Sequence, residues 1–214
     1  MSSLFPSYTK SELIADGCVH AIGVVAGLIA ACTLIAIALT HLDAGAAAAI
    51  VVYCAGMLAV FCFSAAYNLT SGPRRWLLQR FDHAAIYIKI AATYTPFAAL
   101  KMGGIAGFSL LGAVWGIAVL GAAAKLIMPA RFVKTSYVLY LAQGWACVFA
   151  LQPLLAALST TALMLLLAGG VLYTVGVVFH LWQRLPYNNA IWHGFVLVAS
   201  ACHFGAVIDA VVLS

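Results

Sequence analysis

The sequence predicts an all-α membrane protein that crosses the bilayer as a bundle of seven helices. Of its 214 residues, 66% are hydrophobic and only 7% are charged, and its mean hydropathy is +1.11. A soluble domain carries about 25% charged residues, so this chain cannot cover a water-facing surface. Seven apolar stretches are long enough to span a bilayer, and the two-residue alternation of a barrel strand is absent.

The seven stretches are separated by turn and charge signals. A transmembrane helix needs roughly 20 mostly apolar residues. The stretches cover residues 17–39, 46–67, 84–100, 105–127, 136–158, 161–182 and 190–213. The breaks between them include Gly72-Pro73, Gly103-Gly104 and the Arg184-Leu185-Pro186 segment. We therefore predict a cytoplasmic segment over residues 1–16 and one seven-helix domain over residues 17–214.

Basic residues in the connections predict the orientation of the bundle, because cytoplasmic loops carry an excess of Lys and Arg. Only Lys101 lies in a connection on the other side. The cytoplasmic set is Lys10, Arg74, Arg75, Arg80, Lys125, Arg131, Lys134 and Arg184. The N-terminus is predicted to be cytoplasmic and the C-terminus extracytoplasmic. A nucleic-acid partner is excluded, because these residues lie in short loops and form no stripe with interleaved aromatics.

Polar side chains gather at the predicted cytoplasmic ends of four helices. Ionisable groups inside a membrane are costly and by default mark a functional site. Most of the set are i,i+4 neighbours, which share one face of a helix. The set comprises Glu12, Asp16 and His20 on helix 1, Ser64 and Asn68 on helix 2, Asp82 and His83 on helix 3, and Asn189 and His193 on helix 7. We expect them to converge; the alternative is that they are helix caps and ordinary interfacial residues.

Lys89 is a second unusual residue. It follows Asp82 by seven positions, which places its backbone roughly 10 Å deeper in the membrane. Snorkelling of its side chain is expected to bring the ammonium back toward the polar residues. The alternative is that Lys89 faces a water-filled cavity or a neighbouring carbonyl group.

Six motifs along the chain resemble those of the hemolysin III family, the bacterial branch of the progestin and adipoQ receptor family. They are ELIADGCVHAIG (12–23), SAAY (64–67), DHAAI (82–86), ATYTP (92–96), GGVLY (169–173) and AIWHGFV (190–196). The resemblance runs from residue 12 to about residue 206. It implies a seven-helix protein of the bacterial inner membrane with a cytoplasmic N-terminus.

The resemblance also implies a zinc site at the cytoplasmic ends of helices 2, 3 and 7. Its ligands in the family are one His from helix 2 and two from an HxxxH motif on helix 7. A Ser one turn earlier on helix 2 and an Asp that reaches the metal through water complete it. Ser64, Asp82 and His193 match this pattern, whereas Asn68 and Asn189 stand at the other two ligand positions.

Two further departures accompany the missing imidazoles. The family usually has Asn at the position of Asp16 and an apolar residue at the position of Lys89. Zinc prefers imidazole, thiolate and carboxylate ligands, and an amide oxygen is a weaker donor. The substitutes at hand are His83, His20, Asp16 and Glu12. We hypothesise that the tight zinc site is lost and that Lys89 supplies a fixed positive charge near Asp82.

Three functions follow from these observations. The resemblance implies a metal-dependent hydrolase of lipid amide or ester bonds, in which zinc would lower the pKa of a bound water. In that reading Asp82 orients or deprotonates the water and Ser64 assists the oxyanion. The second is a non-enzymatic lipid-sensing receptor or membrane-homeostasis factor, which the lost ligands favour. The third is a channel or cytolysin, for which a polar stripe across the whole membrane is expected.

Overall fold

The computed structural model describes residues 8–129 and 133–213, and every regular element in these ranges is helical. The helices are α1 (Lys10–His41), α2 (Ala44–Leu69), α3 (Arg75–Pro96), α4 (Gly104–Ile127), α5 (Val133–Gly144), α6 (Leu151–Ala157), α7 (Thr160–Leu181) and α8 (Asn188–Val207). A π-helical turn extends α3 over Phe97–Met102, and another extends α8 over Ile208–Val212. The prediction of an all-α protein is confirmed for these residues.

Six helices among the described residues are long and apolar enough to cross a membrane, with Thr135–Ala157 counted as one. Large apolar side chains cover their outer faces; Ile105 is 89% exposed and Phe149 is 92% exposed. An exposed apolar surface of this extent belongs in lipid. The chain is therefore a multi-pass membrane protein. The remaining long helix, α3, is not one of the six, because polar and charged residues interrupt its apolar sequence.

Helix α1 begins seven residues before the apolar stretch that predicted it. A capping box fixes its start: the Thr9 side chain accepts a bond from the Glu12 amide at 3.3 Å, and the Glu12 carboxylate accepts from the Thr9 amide at 2.8 Å. Such reciprocal bonds satisfy two amides that have no partner within the helix. As a result Asp16 and His20 lie well inside α1, on its buried face. Residues 1–7 of the predicted N-terminal segment lie outside the described residues, as do Arg131 and the side chain of Lys134.

The fifth predicted span is interrupted. Helix α5 ends at Gly144, a 3₁₀ segment covers Ala146–Ala150, and α6 follows directly. Within a bilayer the backbone groups freed by such a break need partners from the protein. The Tyr94 hydroxyl of α3 donates to the Gly144 carbonyl at 2.6 Å and accepts from the Cys147 amide at 3.1 Å. The break is therefore stabilised by a side chain from a neighbouring helix.

The packing around α3 places its polar side chains inside the bundle. Helix α3 packs against both α2 and α4, and α8 packs against α7 and α1. Asp82 is 8% exposed and Lys89 is 6% exposed. Because α1 ends at His41 and α2 begins at Ala44, the end of α2 and the start of α1 lie at the same end of the bundle. The starts of α3 and α8 lie at that end too.

Candidate functional site

Four helices bring polar side chains together at one end of the bundle. These side chains, which we call the polar cluster, are Asp16 and His20 of α1, Ser64 and Asn68 of α2, Asp82 of α3, and Asn189 and His193 of α8. All seven were predicted from the sequence. The convergence arises because each pair on one helix is separated by one turn and faces the interior.

Asp16 is the acceptor at the centre of the polar cluster. One of its carboxylate oxygens, Oδ1, accepts a hydrogen bond from Nδ1 of His193 at 2.6 Å. The other, Oδ2, accepts from the side-chain amide of Asn189 at 2.9 Å. With an exposure of 5%, the carboxylate is buried and depends on these donors, because a buried charge without partners is strongly unfavourable.

Ser64 lies between two imidazole rings. Its hydroxyl oxygen is 3.2 Å from Nε2 of His20 and 3.3 Å from Nε2 of His193. Nδ1 of His20 lies 2.8 Å from the backbone carbonyl of Asp16. A carbonyl and a carboxylate can only accept, so in the neutral form of each ring Nδ1 carries the proton and Nε2 presents a lone pair to Ser64. The hydroxyl of Ser64 thus has a base within reach on either side.

Asn68 and Asn189, which the resemblance places at ligand positions, are hydrogen-bonded to each other. The Asn189 amide lies 3.2 Å from Oδ1 of Asn68 and donates to Asp16 as well. The Asn68 amide donates to the Ser64 carbonyl at 3.0 Å and lies 3.4 Å from the Ser64 hydroxyl. Asp16, Asn189 and Asn68 therefore form one continuous hydrogen-bonded chain.

Asp82 completes the polar cluster from α3. Its side chain hydrogen-bonds with the Ser64 hydroxyl and lies near His193 and Asp16. It is nearly as buried as Asp16. Two carboxyl groups thus lie around the same hydroxyl and histidine pair, one on α1 and one on α3.

Two of the predicted site residues lie outside the polar cluster. Glu12 is an exposed capping residue whose Oε1 also accepts from the backbone amide of Tyr187 at 2.9 Å, which ties the start of α1 to the segment before α8. His83 lies near Lys125 and His180 and is not one of the three residues whose candidate ligand atoms meet in the polar cluster. Neither residue contributes a ligand or a base to the polar cluster.

Lys89 is directed away from the polar cluster, so the expected snorkelling toward Asp82 is wrong. Its ammonium donates to the Tyr173 hydroxyl and lies 4.1 Å from the centroid of that ring. The Tyr173 hydroxyl is in turn 2.6 Å from the Ser200 hydroxyl. Among the described residues no carboxylate lies within 4.0 Å of this ammonium. Sequence reasoning missed Tyr173 and Ser200, although Tyr173 ends the GGVLY motif.

A cavity of about 200 Å³ connects the polar cluster with Lys89. Ser64, Asp82 and His193 line it at one end, and Lys89 and Tyr173 line it deeper in the bundle. Apolar side chains, including Val60, Phe61, Ile86, Val196 and Leu197, supply much of the remaining wall, and polar side chains such as His83, Lys125, His180 and His203 supply the rest. A cavity with apolar walls and convergent polar groups is the usual form of a small-molecule site. This one suits a molecule with a hydrocarbon body and a polar group.

The donor chemistry does not fit the zinc site that the resemblance implies. Within the described ranges, Asp16, His20 and His193 bring candidate ligand atoms within 4.8 Å of one another. Two ligands of one tetrahedral zinc ion, each at about 2.0–2.2 Å, stand more than about 3 Å apart. The 2.6 Å between Oδ1 of Asp16 and Nδ1 of His193 is a hydrogen-bond distance, so these two atoms do not ligate one zinc ion together. At the family's own positions, Asn68 and Asn189 offer amides that are already bonded to their neighbours.

Comparison with known proteins identifies similar chains over nearly the whole length. A family described as "Haemolysin-III related" matches residues 9–204. "Hemolysin-3" of Bacillus cereus is 40% identical over 202 residues, which is 94% of this chain and 92% of that protein. "Hemolysin-3 homolog" of Bacillus subtilis (strain 168) is 37% identical over 202 residues, with 94% and 95% covered. The human "Monocyte to macrophage differentiation factor" is 28% identical over 166 residues, 73% of this chain and 67% of that protein. No solved structure matches the chain.

Proposed function

Since the chain belongs to the haemolysin-III-related family, we propose that it is a membrane-embedded hydrolase of lipid amide or ester bonds that works without the family's three-imidazole zinc site. The family match agrees with the resemblance drawn from the motifs. Relatives in two Bacillus species and six apolar helices are consistent with a multi-pass protein of the bacterial plasma membrane. A membrane lipid is then the substrate.

One observation carries the proposal. Ser64, with a histidine on either side of its hydroxyl and Asp82 beside it, lies at one end of a cavity with apolar walls. A lipid whose acyl chain occupies the apolar part would present its carbonyl group to these residues. General acid–base groups placed within hydrogen-bond reach of a reacting group contribute about 10²–10⁴-fold to a rate. The polar cluster supplies such groups from both imidazoles and carboxyls.

We expect purified full-length protein in detergent to release fatty acid from an N-acyl amide or acyl ester lipid, measured by mass spectrometry. Asp82→Asn is expected to lower the rate by about 100-fold or more, because it removes a proton acceptor from the Ser64 surroundings. The matched control is Asp43→Asn at the opposite end of the bundle, where Asp43 caps α2 and Asn serves equally well as a cap.

One outcome contradicts the proposed hydrolase, and a second removes Asp82 from it. A lipid that co-purifies with the protein and is never cleaved would favour the second function, a non-enzymatic lipid-sensing receptor, which the two asparagines at ligand positions also favour. Equal rates for the wild type and Asp82→Asn would remove Asp82 from the reaction. A rate that falls equally in Asp43→Asn would reflect general damage to the fold.

We also propose that α3 is the seventh crossing and that the N-terminus is cytoplasmic. The charged side chains of α3 are buried against neighbouring helices, so this helix need not be apolar all round to lie within a bilayer. In a cysteine-free variant, a cysteine introduced at Gly72 is expected to react with a membrane-impermeant maleimide only after cells are permeabilised. One introduced at Gly103 is expected to react in intact cells. The reverse pattern would overturn the orientation, and reaction of both in intact cells would remove α3 as a crossing.

A further inference from the structure

We propose that Ser64, His193 and Asp16 form a nucleophilic triad, so that this site reacts through a covalent acyl group on Ser64. The inference rests on the proposed hydrolase and specifies its chemistry. It replaces an activated water with a serine nucleophile. In known Ser-His-Asp triads, the serine hydroxyl faces Nε2 of the histidine, and the carboxylate accepts a hydrogen bond from Nδ1.

The contacts follow that order atom by atom. Oδ1 of Asp16 accepts from Nδ1 of His193 at 2.6 Å, and Nε2 of His193 lies 3.3 Å from the Ser64 hydroxyl. Asp16 lies on α1, Ser64 on α2 and His193 on α8. His193 is 177 positions from Asp16 and 129 positions from Ser64 along the chain. Distances in an unliganded site are often looser than those of the reacting complex. The His193 imidazole is thus placed as a base beside the Ser64 hydroxyl, and the Asp16 carboxylate lies on the other side of that imidazole.

The departures from the family pattern account for this arrangement. Asp16 stands where the family usually has Asn, so it adds the negative charge that stabilises a protonated His193. Asn189 stands where the family has a zinc-binding His, and its amide holds the second carboxylate oxygen of Asp16 at 2.9 Å. Asn68, at the other vacated ligand position, contacts both Asn189 and Ser64. Two of these three departures remove metal ligands, and all three contribute to the hydrogen bonds that orient His193 toward Ser64.

His20 makes a similar contact with Ser64 but with a weaker partner behind it. The Ser64 hydroxyl has one proton, so only one of the groups around it, the two rings and the Asp82 carboxyl, accepts that proton at a time. His193 is backed by the Asp16 carboxylate at 2.6 Å, whereas Nδ1 of His20 is bonded to a neutral backbone carbonyl and lies 3.6 Å from that carboxylate. His193 is therefore assigned as the general base, and His20 as a residue that positions the hydroxyl.

The reaction balances with the residues present and one water molecule. The Ser64 oxygen bonds to the carbonyl carbon of the lipid while its proton moves to Nε2 of His193. The bond from that carbon to the amine or alcohol then breaks, and the leaving group takes the proton from Nε2. Water next attacks the acyl carbon and gives a proton to His193. The Ser64 oxygen leaves as the acid forms and recovers that proton, so the products are a fatty acid and an amine or alcohol.

The test is reaction of the full-length protein in detergent with a fluorophosphonate bearing an alkyl chain. The Ser64 oxygen would bond to phosphorus, fluoride would leave, and the proton would pass to His193. We expect mass spectrometry to place the adduct on Ser64, with or without a metal chelator. Ser64→Ala should abolish the adduct, and His193→Ala should slow labelling by at least about 100-fold. The control is Ser200→Ala, a buried serine paired with Tyr173, which should label as the wild type does.

A second variant keeps the test decisive where Ser64→Ala fails to fold. Ser64→Cys retains a small nucleophile and is expected to be alkylated by iodoacetamide at position 64, more slowly when His193 is also changed to Ala. An unlabelled Ser64 in protein that cleaves lipid, or lipid cleavage that survives in Ser64→Ala, would overturn the triad and leave the proposed hydrolase intact. Labelled Ser64 in protein that cleaves no lipid would support the triad and overturn the lipid substrate.

Discussion

Asp16→Asn is expected to lower both lipid hydrolysis and fluorophosphonate labelling of Ser64 by about 10³–10⁴-fold, the scale seen when a triad carboxylate becomes an amide. The substitution preserves size but removes the charge that faces Nδ1 of His193 at 2.6 Å. An amide can also present its NH₂ group to that nitrogen, which would place the His193 proton on Nε2. The ring would then face Ser64 with a donor, and could no longer accept the hydroxyl proton.

Stability and rescue separate this effect from simple loss of structure. The thermal midpoint of Asp16→Asn should stay close to that of the wild type, because Asn matches Asp in size and the change removes a buried charge without leaving a cavity. Asp16→Glu restores the charge and should recover part of the labelling rate. Asp43→Asn is the matched control far from the site. A loss smaller than about tenfold, or no recovery in Asp16→Glu, would remove Asp16 from the triad.

The second large effect concerns zinc. Wild-type protein purified without chelators is expected to carry far less than one zinc ion per chain by elemental analysis. The triple variant Asp16→Asn, Asn68→His, Asn189→His is expected to bind one zinc ion per chain, with an affinity at least about 100-fold higher than that of the wild type. Changes to residues that only support the ligands alter zinc affinity by about 10–100-fold, and this variant gains two ligands. The two asparagines already meet at 3.2 Å, and Asn189 precedes His193 by one turn.

His193 provides the control for zinc binding. Changing it to Ala in the triple variant should abolish stoichiometric binding, measured by competition with a chromophoric chelator. Stoichiometric zinc in the wild type that is lost in His193→Ala would contradict the metal-free site. Equal zinc content in the wild type and the triple variant would show that Asn68 and Asn189 are not ligand positions in this chain.

The positions of the polar cluster could be predicted from the sequence, because helix ends and one-turn spacing fix where a residue lies. Ser64, Asn68, Asn189 and His193 needed only the order of the helices to be placed together. Which atom bonds to which could not be predicted in the same way. The packing of α1 against α8 decides that the two oxygens of Asp16 bond to Asn189 and His193. That packing has no counterpart in the periodicity of the sequence.

The missed features depend on contacts between distant segments. The Lys89 ammonium was expected to lie near Asp82, but it donates to the Tyr173 hydroxyl on α7 instead. The break after Gly144 depends on Tyr94, fifty residues earlier. In both cases an aromatic hydroxyl from another helix decides the outcome, and local hydropathy carries no information about it.

The buried charges of α3 have a consequence for how the protein enters the membrane. A Lys or Asp at the centre of a single inserting helix costs about 2.5–3.5 kcal/mol, and α3 carries both Asp82 and Lys89. Its neighbours α2 and α4 are strongly apolar and pack on either side of it. On the proposed topology, α3 would leave the translocon poorly by itself. Synthesis of α4 would therefore have to precede its release into lipid, so that the three helices partition as one unit.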